Sequence, residues 1–176
     1  MLAPLPQILV RWQYFYGLIG TASATLIGLM FVAASIGAGI FTADRRVGMQ
    51  SFLSPTVVHF TIALVTCLNA GVPDQTWKSY GASVAAIGVS GTAYSIWIWR
   101  RMTSYGLAAS IDIFDRIWYA ALPVLAYGLL TLSGASFTQG EIRAFDGLAI
   151  GLILLLLVGI RNAWDMTTWV VQRRDR

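Results

Sequence analysis

Residues 12–43 read WQYFYGLIGTASATLIGLMFVAASIGAGIFTA, 32 positions without a Lys, Arg, Asp or Glu. Charge-free runs recur at 47–73, 79–99, 117–140 and, more briefly, 147–160, with charges almost confined to the intervals between them. A hydrocarbon layer about 30 Å thick needs about 20 apolar residues at helical rise. Membrane β-strands would instead alternate over about ten residues, and these runs do not alternate. The pattern predicts an all-α integral membrane bundle of five transmembrane helices.

Composition agrees. The chain has 176 residues, 57% hydrophobic and 11% charged, with a mean hydropathy of +0.68. Globular domains carry about a quarter charged residues. A single transmembrane domain over 1–176 is expected, with no soluble domain. The net charge of +4 suits the basic residues that orient membrane proteins, so nucleic acid is not an expected partner. Cys67, the single cysteine, excludes an intramolecular disulfide framework and reads as a small buried hydrophobe. Residues 1–10 hold two prolines and no basic residue, unlike a cleaved secretory signal. The first run therefore reads as a retained helix.

The helices are expected at about 15–41, 55–72, 79–99, 117–137 and 145–165. Pro4, Pro6, Arg11, Trp12 and Tyr14 read as an interfacial lead-in. Ser54 is an expected N-cap with Pro55 as the first helical residue, and Pro123 an expected kink. All seven tryptophans, at 12, 77, 97, 99, 118, 164 and 169, fall near these helix ends, where amphipathic rings collect in a membrane. Five spans put Arg11, Lys78 and Arg143 on one side. The other nine Lys and Arg residues then fall on the opposite side. The positive-inside rule predicts an outside N-terminus and a cytoplasmic C-terminus. Residues 110–116 read as a short interfacial helix entering the fourth span.

Small residues recur at helical spacing in Gly20-xxx-Ala24-xxx-Gly28, Ser35-xxx-Gly39, Gly81-xxx-Ala85 and Gly147-xxx-Gly151. In lipid such residues let helix backbones approach, either within one subunit or between copies.

The fifth run is only 14 residues, about 21 Å at helical rise. Its helix must recruit polar neighbours, and Trp164 and Trp169 point to Arg161, Asn162 and Asp165 at the cytoplasmic end. Arg161 and Asp165 are four apart on one face, so they are expected to pair. The same topology brings His59, Asp115 and Arg116 to similar depth, with Tyr94 one to two turns inside the third helix's end. These six residues, His59, Asp115, Arg116, Arg161, Asn162 and Asp165, form the candidate polar vestibule. Equally, charges at helix ends set topology and pair without further duty.

Catalytic and nucleotide-binding motifs such as HExxH, CxxC, GxxxxGK[ST], GxSxG and GxGxxG do not occur. One His and one Cys cannot form a usual protein-only zinc site. Neither an enzyme nor a cofactor is expected.

The stretches Ser54-Pro55-Thr56-Val57-Val58-His59-Phe60 and Gly159-Ile160-Arg161-Asn162-Ala163-Trp164-Asp165, with Arg116-Ile117-Trp118-Tyr119 and Leu122-Pro123 between them, resemble a group of small multi-pass bacterial membrane proteins without assigned function. The resemblance covers about 50–170. It implies a bacterial inner-membrane location and no activity. That group often has a His where this chain has Arg161, so the resemblance does not carry a histidine pair onto His59 here. The leading expectation is an oligomeric channel or transport subunit with the polar vestibule. The alternative is a non-transporting accessory protein that binds a larger membrane complex or lipids. Expected partners are the bilayer, further copies of the chain, or another membrane protein.

Overall fold

The computed structural model describes residues 4–38, 43–104 and 117–172, with side chains at 4–35, 55–100 and 117–165. Among the described residues the fold is all-helical, without strands. Its elements are α1 (Leu5–Ala38), α2 (Ala43–Ala70), α3 (Trp77–Ser104), a π-helical turn (Ile117–Ala121) continuous with α4 (Leu122–Thr138), and α5 (Ala144–Gln172). Leu5–Ser35, Trp77–Arg100, Ile117–Thr138 and Ala144–Asp165 are long and apolar enough to cross a membrane, while Pro55–Ala70 is apolar but shorter. The outward surface fits that solvent. Leu18, Leu29, Phe31, Leu132, Ile150 and Leu157 are all exposed on it, an apolar surface beyond what a water-soluble monomer presents.

Helix ends differ from the sequence expectations in ways that have physical causes. α1 begins ten residues earlier than expected, because Leu5 and Ile8 are core residues rather than an interfacial lead-in. α2 runs through Pro55 instead of starting there, so Ser54 is not its N-cap. A proline removes one backbone bond, which neighbouring helices in a membrane bundle tolerate. α3 starts on a capping box. The Thr76 backbone N–H donates to Ser79 Oγ at 3.0 Å, and the Ser79 N–H donates to Thr76 Oγ1 at 3.1 Å. α4 ends in a Schellman motif. Gly140, at φ 80°, donates to the Phe137 carbonyl, and Glu141 N–H reaches the Ser136 carbonyl. Pro123 offers no N–H to the carbonyl four residues back, and the turn just ahead of it is π-helical. α5 reaches Gln172, so the short apolar run does extend through Arg161, Asn162 and Asp165.

Neighbouring helices alternate in direction. Gly20 of α1 lies against Cys67 near the end of α2, and Gly159 late in α5 lies against Phe60 of α2. The small-residue spacing is resolved most clearly between α3 and α4. A Cβ added at Gly81 would sit 2.6 Å from the Gly134 carbonyl, one at Gly88 would meet Thr131, and one at Gly134 would lie 2.7 Å from Ala85 Cα. Gly147 faces Ser133 and Gly151 faces Leu130, closing α5 onto α4. These stripes pack within the subunit. Gly17 and Gly28 face open space. Ser35 is exposed, and Gly39 lies outside the described residues.

One end of the bundle is aromatic. Phe137 and Phe145 lie 4.6 Å apart, Trp12 stacks on Phe145 at 5.6 Å, and the Tyr16 and Tyr80 hydroxyls share a hydrogen bond of 3.2 Å. Trp12 and Trp77 are thus packed into the protein as well as placed near helix ends.

Gly134→Ala is expected to destabilise the bundle by about 1–3 kcal/mol through overpacking against α3. Gly28→Ala, made in open space inside α1, should stabilise slightly, by up to about 1 kcal/mol, through helix propensity. Thermal or denaturant unfolding of the two variants in the same detergent checks the contrast; equal midpoints would contradict the α3–α4 seam.

Candidate functional site

The end opposite the aromatic cluster carries the polar residues singled out in the sequence, and they fall into two groups. The first is buried. His59 is 3% exposed on α2, and its Nδ1 lies 2.6 Å from the Tyr127 hydroxyl on α4. In one tautomer the phenol donates to Nδ1; in the other, Nδ1–H donates to the phenol oxygen. Asn162, 4% exposed, sits on the buried face of α5, three residues beyond the Gly159 that admits Phe60. Its Oδ1 has no hydrogen-bond partner among the described residues.

The second group lies at the rim. Arg161 Nε donates to Asp165 Oδ2 at 2.9 Å, with the side chains 43% and 26% exposed. The Tyr119 hydroxyl donates to the same carboxylate oxygen at 3.3 Å. The Arg161 guanidinium carbon lies 5.8 Å from the centroid of the Trp118 ring, a cation–π distance. The π-helical turn supplies both Trp118 and Tyr119 to the rim. The pairing of Arg161 with Asp165 follows from their i,i+4 spacing.

Asp115, Arg116, and the interfacial helix expected at 110–116 lie outside the described residues. Tyr94 is on α3, partly buried and ring-packed against Trp97 at 6.1 Å. Four of the six expected vestibule residues are therefore described, and all four take part in helix packing or pairing at this end. Grooves on the described surface include one between α1 and α2 near the aromatic end and one between α3 and the π-helical turn. His59, Arg161, Asn162 and Asp165 line neither of them. Among the described residues no group of three His, Cys, Asp or Glu gathers as a metal site.

Sequence reasoning missed Tyr127 and Tyr119. Tyr127 carried a usable signal, since it lies in the middle of an apolar run. A phenol buried there needs a hydrogen-bond partner, and the single histidine was the obvious one. Tyr119 carried none, because a tyrosine near a helix end reads as an interfacial residue.

No protein-family model, curated protein or solved structure matches the chain. Its reading rests on its own chemistry.

Tyr127→Phe leaves the buried His59 ring nitrogen without its partner, and the expected loss of stability is about 1–3 kcal/mol. In a His59→Phe background the same change should cost much less. A double-mutant cycle on unfolding in detergent measures the coupling, and strictly additive effects would contradict the bond.

Proposed function

We propose that the chain is a multi-pass protein of the bacterial inner membrane that crosses it five times, with its N-terminus outside and its C-terminus cytoplasmic. Its role is that of a non-transporting accessory protein that binds a larger membrane complex or lipids. The supporting observation is that the polar residues of one end are engaged with one another. His59 bonds Tyr127 inside the bundle, and Arg161 and Tyr119 both bond Asp165 at its rim. Side chains that carry a solute across a membrane face a water-filled path. The five-span topology draws support from the alternating helix directions, since α2 runs beside α1 and α5 along the same axis.

A second reading, an oligomeric channel or transport subunit, is favoured by one specific feature. The buried Asn162 Oδ1 lacks a partner, and an unpaired polar atom inside a membrane bundle marks solute paths as well as structural defects.

Two measurements test these readings. Purified protein in liposomes is expected to give no ion or small-solute flux above protein-free vesicles. Flux that changes in His59→Ala or Asp165→Asn would replace the accessory reading with the transport one. For the topology, a Cys67→Ala background carries Glu141→Cys or Arg176→Cys. An impermeant maleimide added to intact spheroplasts should label the first and spare the second; the reverse pattern would invert the orientation.

A further inference from the structure

α1 packs one face onto the bundle and leaves the opposite face bare. Along the bare face Tyr14, Gly17, Thr21, Ala24, Gly28 and Phe31 recur at alternating intervals of three and four residues, and all six are exposed. That is a seven-residue repeat, the spacing of a seam at which two like helices wind about each other. Its centre is small and its ends are aromatic. Elsewhere in the bundle glycine marks where another helix presses, for a Cβ at Gly81, Gly88 or Gly134 would collide with the facing helix. At Gly17 and Gly28 a Cβ would meet nothing.

Beside this seam runs the groove between α1 and α2, about 660 Å³ in volume. Gly17, Gly20 and Ala24 form its floor, and Leu64 and Leu68 its wall. At its outer end Asp74 lies level with Val10 and Gln13. Asp74 and Arg11 are both exposed, and neither has an ion-pair partner among the described residues.

We propose that α1 is a dimerisation helix. Two copies meet about a two-fold axis along the membrane normal, with the stretches from Gly17 to Gly28 in contact and Arg11 of the partner subunit opposite Asp74. Copies inserted the same way have parallel α1 helices, so one patch serves both sides of the contact. At about 3.6 residues per turn, Gln13 and Gly20 lie on the groove flank of the seam, and Arg11 and Leu18 on the other flank. A half turn about the axis brings the Arg11 flank of one subunit over the groove of the other, at the level of Asp74. The charges are of opposite sign, and symmetry makes the pair twice. This complementarity selects a second copy, since a lipid tail would leave both charges without a counterpart. Close backbone approach across Gly17, Thr21, Ala24 and Gly28 supplies the van der Waals contact on which association in lipid relies.

The proposal rests on the membrane-spanning part of the proposed function and is indifferent to its accessory role. Full-length protein in a Cys67→Ala background carries Thr21→Cys, Ala24→Cys or, on an exposed face of α4, Leu132→Cys, and is oxidised in liposomes at high lipid excess. The first two are expected to form disulfide-linked dimers and the third to stay monomeric. Association is then read as energy transfer between copies labelled through Arg176→Cys, as lipid dilutes them. Gly17→Leu meets nothing in its own subunit and should weaken association about tenfold or more by overpacking the seam. Arg11→Glu should weaken it about fivefold at low salt, as loss of exposed ion pairs does, and Asp74→Arg added to Arg11→Glu should restore it. Equal cross-linking at all three positions, or association unchanged by Gly17→Leu, would overturn the proposal and leave the face to lipid or another protein. A charge exchange that restores nothing would overturn it too. Failure of the membrane reading shows separately, as protein that stays in solution once detergent is removed, and overturns the proposal together with that reading.

Discussion

The close approach of α3 and α4 is the contact on which the rest of the bundle depends. At Gly81, Gly88 and Gly134 the backbones approach until a single methyl would collide with the opposite helix. In lipid no hydrophobic effect presses helices together, so van der Waals contact over such seams supplies much of the association. The seam also reaches the candidate site. Gly91 of α3 leaves the space that the Tyr127 ring occupies, and from there the Tyr127 hydroxyl meets His59. A small residue on one helix thereby sets the hydrogen bond between two others.

The two ends of the bundle are built differently. The aromatic end is filled by stacked and edge-packed rings with one tyrosine pair sharing a hydrogen bond. At the other end a buried His–Tyr bond lies inside a rim of charge made by α5 and the π-helical turn. Arg161 and Asp165 balance each other's charge at this rim, with the Tyr119 hydroxyl on the same carboxylate. The π-helical turn ahead of Pro123 carries Trp118 and Tyr119 against that pair. The same turn forms a wall of the α3 groove, so one short irregular element shapes both faces.

Much of this was legible in the amino-acid order, and the reasons can be given residue by residue. Charge spacing separates lipid-facing from water-facing segments because each buried charge is expensive, so the apolar cores of all the helices could be placed. The i,i+4 spacing of Arg161 and Asp165 was enough to pair them. The beginnings of α1 and α2 were misplaced because prolines are ambiguous. Pro4 and Pro6 stand at the start of a helix, whereas Pro55 stands inside one, and local preference does not distinguish the cases.

By itself, then, the sequence determined the helical class of this protein and the segments of each helix that hold no charge, four of them long and apolar enough to cross a membrane. These follow from the free energy of placing single residues in hydrocarbon, which does not depend on neighbours. Only the tertiary structure decided that Gly81 and Gly134 serve the same seam, that His59 answers Tyr127, and that Trp99, Arg100 and Ser95 share a groove with the turn before Pro123. Those are relations between residues far apart in the chain. They depend on which helix faces which, and that choice is made by packing.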